Sequence, residues 1–395
     1  MNIYVYEDDK ALDLGPLSNN RATFDIRIGS ETFLDRIKML FSEHTISLFV
    51  RDELEALTKE KHSGLKVNPK EIDEGLWLLG NVIWDKSDFK ILPDSETLFY
   101  NNNNLIGAFL SKTSGNDWIK SRSATPKVED QTVKESNHCP YLWDILSQIG
   151  HTLSSEFEKF ENHFKPSIYN GVEFINPENI FVGDNVLIQP TVLINAENGP
   201  IIIESDVTIF GQTYLEGPLY IGKNSLVKPL TQIKNSAFGP MCKIGGEINT
   251  VIIQGYSNKV HEGHLGDSFL GEWVNLGSGT QNSNLKINYS SVKVEINNKN
   301  IETNKIHIGS FIGDHTKTAI GTKLNSGSVI GLGSMIATGG FPPKLVNPFT
   351  WYINGEKRKV ILDKFFETAY HSMIRRNKTL SDLERALLEK LHNKI

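Results

Sequence analysis

A mixed α/β domain, then a left-handed parallel β-helix of hexapeptide repeats, then C-terminal helices: this is the fold class the sequence predicts. Three observations carry it. β-rich runs alternate with a helical stripe over residues 1–140, aliphatic residues recur at every sixth position from 182 onward, and helical spacing returns after 360. The expected organisation is an α/β domain over 1–140, a linker helix over 141–165, a β-helix over 166–345 and a helical segment over 346–395.

In the first part, Ile3 to Tyr6, Ile46 to Val50, Leu76 to Trp84 and Thr97 to Phe99 are short β-rich runs between turn formers. Phe33, Ile37, Leu40 and Phe41 recur at helical spacing between the first two. Strands alternating with helices predict a parallel or mixed sheet with helices on its faces. Asn101 to Asn104 reads as a polar turn, and Ser111 to Ser136 as a polar loop or linker anchored by Trp118 and Ile119. Residues 141 to 162 read as one amphipathic helix, with Leu142, Ile145, Leu146, Ile149, Leu153, Phe157 and Phe160 in one stripe.

After residue 175 the period changes. Val182, Ile188, Ile194, Ile203, Ile209, Leu215, Ile221, Val227 and Ile233 follow one another at six-residue steps, apart from the nine residues between Ile194 and Ile203. The phase resumes at Leu270 and Leu276, then at Ile306, Ile312, Leu324, Ile330 and Ile336, with Thr318 in one slot. Neither an α-helix nor a simple strand repeats at six. A parallel β-helix does: each hexad gives a strand and a turn, and about eighteen residues make one triangular coil. The recurring aliphatic residue points inward and stacks on its equivalent about 4.8 Å along the axis. Gly183, Asn185, Gly222 and Asn224 follow aliphatic positions and suit the positive φ of tight corners. Gly255 to Asp267 and Thr280 to Asn304 break the phase and are expected as loops on one face, often the binding face. At the end, Leu362, Phe365, Phe366, Ala369, Tyr370 and Met373 form a helical stripe. Ser381 with Glu384 makes a capping box for a second helix carrying Leu383, Leu387, Leu388 and Leu391.

Composition narrows the function classes. The chain has 395 residues, 39% hydrophobic and 22% charged, which suits a globular protein with a sizeable core. Forty-one Lys and Arg against 47 Asp and Glu give a net charge of −6, which argues against nucleic acid as the main partner. Cys139 and Cys242 are too few for a disulfide framework or zinc ribbon. The segment Met1 to Lys10 turns acidic too soon for a signal peptide, and no run suits a membrane span. A cytoplasmic location without membrane attachment is the expectation.

Chemistry concentrates in Ser257 to Thr280. His261 and His264 lie three apart, and a neutral His is the usual base for deprotonating an attacking amine near pH 7. Gly277 to Gly279 would let a thin ligand approach the backbone and would offer N–H groups to an oxyanion. Spacing alone leaves a second reading, two surface histidines in an ordinary loop. No further metal ligands stand nearby, so no metal site is expected. Arg21 and Arg27 have the geometry for bidentate phosphate binding, though two arginines before a helix also fit a plain surface.

Lys259 to Thr280, with Asn282 to Tyr289, Phe311-Ile312-Gly313-Asp314-His315-Thr316 and Gly339 to Lys344, resembles the C-terminal half of bifunctional GlmU-type enzymes. Those join a sugar-1-phosphate nucleotidyltransferase domain to a left-handed β-helix that acetylates glucosamine-1-phosphate. The likeness covers most of residues 170 to 345 and is thinner over the first 110. It implies a degenerate Rossmann-like nucleotidyltransferase domain, acetyl-CoA as cosubstrate, and a homotrimer in which a lone chain holds half a site. It implies His261 as acetyl-transfer base, with His264 where the family has a sugar-phosphate-binding Tyr. Asn275 and Asn284 would bind substrate, and Ser278 and Gly313 would line the pantetheine groove. Glu7 to Gly15 lacks the phosphate-cradling glycines that follow the first strand in this superfamily. Leu17 to Thr32, carrying Arg21 and Arg27, resembles instead the corresponding stretch of a divergent branch, and Gly80-Asn81 stands where a nucleotide-side loop would be. UTP or dTTP, with Mg²⁺, would therefore be used only if nucleotidyl transfer is retained. The rival reading is a catalytically decayed trimer that binds a sugar nucleotide as a regulator or scaffold.

Overall fold

The computed structural model describes residues 1–120, 125–160 and 166–395. Its N-terminal domain contains β1 (Asn2–Tyr6), α1 (Phe33–Leu40), β2 (Thr45–Phe49), α2 (Glu55–Lys61), β3 (Lys66–Val67), β4 (Gly75–Leu79) and β5 (Val82–Ile83). β6 (Thr97–Asn101), β7 (Asn104–Leu110), α3 (Lys112–Trp118), β8 (Gln131–Val133) and β9 (Asn137–His138) follow. The main sheet runs β3-β2-β1-β4-β7-β6-β8, its first four strands parallel and β7 antiparallel to both neighbours. β4 is buried along its whole length, which is why Leu76 to Leu79 reads as an unbroken apolar run. Asn102 and Asn103 take φ values of 44° and 66°, so the asparagine tetrad is the turn of the β6–β7 hairpin.

Two expectations need correction here. The polar stretch from 111 to 136 holds α3 and β8; its residues 121–124 lie outside the described residues. Trp118 on α3 packs 4.9 Å from both Tyr6 and Trp77, so one large side chain anchors a helix whose composition looks like loop. The single helix expected over 141–162 is two, α4 (Leu142–Leu146) and α5 (Ile149–Phe157), with residues 161 and 162 outside the described residues. Ser147 Oγ donates to the Asp144 carbonyl at 2.6 Å at the break, a local bond that competes with the helical ladder. The stripe does its expected work, since Leu142, Ile145, Ile149 and Leu153 join one apolar cluster with the sheet and with Ile202, Ala237, Ile252 and Phe269 of the coil beyond.

That coil is a three-faced parallel β-helix. One face stacks Ile201–Ile203, Leu219–Ile221, Ser236–Phe238, Val251–Ile253 and Ser268–Leu270, then Ser310–Ile312, Ser328–Ile330 and Leu345–Val346. A second stacks residues 187–188, 208–209, 226–227, 243–244, 258–259, 275–276, 317–318, 335–337 and 350–353. The third runs through 193–195, 214–216, 232–234, 247–249 and 264–266. The last parallel strand of the second face, Thr350–Ile353, lies beyond residue 345, so the coil extends past the expected boundary.

The first phase break is no loop. Ile233 is in register with Ile248 and Leu265, Phe238 with Ile253 and Leu270, and Ile244 with Lys259 and Leu276. Corners shortened to four- and five-residue steps shift the phase, and Lys259, 1% exposed, occupies an inward slot where an aliphatic residue was expected. The second break is real. Between Asn282 and Ser310 the chain leaves the coil and forms an antiparallel hairpin, Lys293–Ile296 with Lys299–Glu302. Val292, Val294, Ile296 and Ile308 join the core shared with the N-terminal domain, and Asn297 donates to Asp13 at 2.9 Å. Ile306, counted in the hexad phase, belongs to this excursion and is exposed.

The C-terminus forms α6 (Leu362–Met373) and α7 (Asp382–Asn393). Both bonds of the Ser381–Glu384 capping box are present, at 3.1 and 2.8 Å. Phe365, Phe366 and Leu388 pack on Leu332 and Phe349 at the end of the coil, while Lys394 reaches Glu53 of the first domain at 2.6 Å. The helices thus close the coil and touch the first domain.

Candidate functional site

The coil that carries the two histidines is organised by buried polar side chains. Inside the prism, Lys259 Nζ donates to the carbonyls of Gly245 at 2.9 Å and His261 at 2.5 Å. Burial pulls the ammonium down to about 8, with Glu262 opposing. In the next coil, Asn282 is also inward: its Oδ1 accepts from Gly266 N and its Nδ2 donates to Gly266 O, both at 2.9 Å. Backbone that would otherwise go unpaired beside the excursion is therefore satisfied by side chains. Neither residue was picked out by period or composition; a polar residue in an aliphatic slot is the signal that marks them.

His261 stands exposed at the corner that Lys259 ties down. Because Lys259 is opposite Leu276, His261 is level with Ser278, and the neighbouring Glu262 accepts from Ser278 Oγ at 3.0 Å. His264 opens the next strand, its Nδ1 3.3 Å from Glu247 Oε1. Its ring lies across Gly266, where a Cβ would fall 2.6 Å from His264 Nε2 and 2.9 Å from Asn284 Nδ2. Asn284 Nδ2 donates to Asp267 Oδ2 at 2.6 Å. Burial raises the Asp267 carboxyl against the opposing pull of Asn284, His307 and His264. His264, Asn284 and the unforeseen Asp267 thus gather around Gly266, one corner away from His261.

Asn275 is placed elsewhere. It is level with Asn258, whose Nδ2 donates to Asn275 Oδ1 at 3.1 Å, and it faces a groove under α6. Three residues of strand separate that edge from the level of His261, about 10 Å. Gly313 is buried, and a Cβ there would lie 2.6 Å from Leu332 N, so this glycine serves the close approach of two coils.

Arg21 and Arg27, expected as phosphate ligands, are both buried and engaged by protein acceptors. Arg21 pairs with Asp314 and lies 3.6 Å from Glu272, and Asn20 Nδ2 donates to the same Asp314 carboxylate at 2.9 Å. Arg27 donates to the carbonyls of Ser30, Gly29 and Gln254 at 2.5, 3.2 and 3.3 Å. Gln254 in turn donates to the Asp25 carbonyl at 2.9 Å. These residues clasp the N-terminal domain to the coil. Asn81 is likewise spoken for, its side chain donating to Cys139 O at 3.0 Å. At the carboxyl ends of β1 and β4, Glu7 accepts from Thr23 N at 2.8 Å, and a Cβ on Gly80 would lie 3.0 Å from Phe24. The chain's own segment after β1 covers the strand ends where an open sheet usually takes its ligand.

Among the described residues, no group of three or more His, Cys, Asp or Glu side chains is arranged to hold a metal ion. Cys139 and Cys242 are both free and buried. No described helix is long and apolar enough to cross a membrane.

A family model described as "Sugar nucleotidyl transferase" matches residues 3–164. A bifunctional sugar-1-phosphate nucleotidylyltransferase/acetyltransferase of Sulfurisphaera tokodaii is 36% identical over 171 residues, 41% of this chain and 40% of that protein. The bifunctional protein GlmU of Carboxydothermus hydrogenoformans is 26% identical over 202 residues, again 40% of its length. GlmU of Thermodesulfovibrio yellowstonii is 31% identical over 180 residues, 43% of this chain and 36% of that one. The chain thus matches about two-fifths of the length of these curated relatives.

Proposed function

We propose that this chain, similar in sequence to the bifunctional GlmU-type enzymes, transfers an acetyl group from acetyl-CoA to the amine of an amino-sugar phosphate resembling glucosamine-1-phosphate. The observation that carries the reading is His261: an exposed imidazole at a corner whose backbone is held by the buried Lys259, beside Ser278 and the small residues around it. The neutral amine attacks the thioester carbonyl, His261 takes the proton released from nitrogen, and the CoA sulfur departs and is protonated. Backbone N–H groups of Gly277 to Gly279 stabilise the oxyanion. His264 and Asn284 contact the sugar phosphate from one corner. Asn275 reaches it from a neighbouring chain, which makes the working unit a homotrimer. Release of free CoA thiol from acetyl-CoA, dependent on glucosamine-1-phosphate and lost in His261→Ala, tests the reading; wild-type protein without that activity removes it.

For residues 1–140 a second reading has its own support. With Arg21 and Arg27 engaged in the clasp and the strand ends covered, this domain binds a sugar nucleotide without rapid turnover. Thermal shifts measured separately with acetyl-CoA and with UTP or dTTP separate the two halves.

A further inference from the structure

Between α6, the turn Ile374–Arg376 and the second face of the coil lies a groove of 970 Å³. Lys243, Lys317, His371, Arg375 and Arg376 line it together with Tyr256, Trp273 and neutral polar residues, and no carboxylate does. The hydrogen bonds its cations make go to neutral acceptors: Lys317 Nζ donates to the Trp273 carbonyl, and Arg376 donates to Asn258 Oδ1 at 3.1 Å. Burial brings the Lys317 ammonium down to about 8. Burial, then Arg376 and Arg375, also lower Lys243. Four Lys and Arg side chains crowded on one concave surface repel one another, and an anion that joins them relieves the repulsion.

The groove's wall supplies a second observation. Successive corners of the coil at this edge hold a residue at positive φ: Asn185 at 56°, Asp206 at 61°, Asn224 at 60° and Met241 at 57°. Short polar side chains tolerate that conformation best. At the groove the same column holds Tyr256 at 54° and Trp273 at 60°, stacked with ring centroids 4.5 Å apart. Here they raise a rigid apolar wall beside the cations.

We propose that this groove is a binding site for a ligand bearing two or more phosphate charges. The inference rests on the groove and not on the acetyl-transfer reading. Two sources share this chemistry, the phosphorylated nucleotide end of coenzyme A and a free nucleoside triphosphate. Calorimetric titration of the full chain with inorganic pyrophosphate, CoA, dephospho-CoA and UTP distinguishes them. Pyrophosphate is expected to bind, more weakly as salt is raised, and at least about tenfold more weakly to the Arg375→Ala/Arg376→Ala variant. Lys243→Ala, a change at an exposed position, is expected to weaken binding in the same direction without altering the melting temperature. CoA binding about tenfold tighter than dephospho-CoA assigns the coenzyme; UTP binding tighter than both assigns the free nucleotide. Binding of all these anions unchanged in both variants, or no binding of any of them at about 1 mM, overturns the site. Acetyl transfer is assayed on the same proteins: transfer with unchanged anion binding in the variants sinks this site alone, and variant-sensitive binding without transfer sinks only the enzymatic reading.

Discussion

His261 and His264 differ in what the structure does with them, although they are three residues apart. His261 is exposed, and its carbonyl is held by Lys259; His264 leans on Glu247 and shares a corner with Asn284 and Asp267. On the proposed mechanism, His261→Ala removes the proton acceptor and should lower kcat about 10²- to 10⁴-fold. His264→Ala removes a substrate contact and should act mainly on KM, by about tenfold, or 1.4 kcal/mol. Steady-state kinetics of both variants with acetyl-CoA and glucosamine-1-phosphate check this, and equal losses of kcat would refute separate roles. At this scale the sequence was partly legible: residue type and resemblance single out the histidines. Asp267 escaped because a lone acid at a corner looks like any surface acid, and the clasp made by Arg21 and Arg27 escaped because buried and exposed arginines are spelled alike.

Among the elements, the regular coils were readable and the irregular one was not, for a physical reason. A hexad repeat announces itself only while corners keep their length and inward slots stay aliphatic. From Phe238 to Leu276 the corners shorten and Lys259 enters the prism, so the six-residue phase seems to fail where the coil continues unbroken. That lysine predicts a pH signature. Its folded value near 8 is below an unfolded value of about 10.4, so between these limits the unfolded chain binds more protons. Stability conferred by this slot therefore rises with pH from about 8 to about 10. Chemical denaturation of wild type and Lys259→Met across that range should show the difference moving in favour of wild type as pH rises; a constant difference would mean the ammonium is not desolvated. Lys317 titrates in the same window but is present in both proteins. The segment after β1 is a further case of element-level logic. Its folding back through Thr23 and Phe24 over the strand ends predicts slow nucleotidyl transfer or none. Brisk Mg²⁺-dependent pyrophosphate release from UTP or dTTP with a sugar-1-phosphate would show that this segment opens.

For the whole molecule, two connections matter: the clasp between domain and coil, and the contact between chains that the proposed function requires. The clasp centres on Arg21 and Asp314, both nearly inaccessible, and Asp314 also accepts from Asn20 Nδ2 and from the Glu272 amide. Truncating one member leaves the other charge buried alone, so Arg21→Ala should cost about 3–5 kcal/mol in urea unfolding; a loss below about 1 kcal/mol would mean that the domains part easily. The contact between chains follows from a division within the coil. Asn275 and His261 occupy opposite edges of one face, about 10 Å apart, and Asn275 looks into the groove under α6 rather than toward the histidine. If one amino sugar touches both, the simplest supply is His261 from one chain and Asn275 from the next around a threefold axis. His261→Ala and Asn275→Ala trimers are then each inactive, but co-expressed chains regain activity. A site works only when an Asn275→Ala chain, with its histidine intact, meets a His261→Ala chain, with its asparagine intact, on the correct side. With random mixing in equal amounts each condition holds half the time, so about one quarter of the sites, and of wild-type specific activity, should return. Tandem affinity tags isolate the mixed trimers, in which one site in three is complete and about one third of wild-type specific activity is expected, and light scattering fixes their mass. Mixed trimers with no recovered activity would place both residues in one chain's site, and a monomer with full activity would remove the shared site altogether.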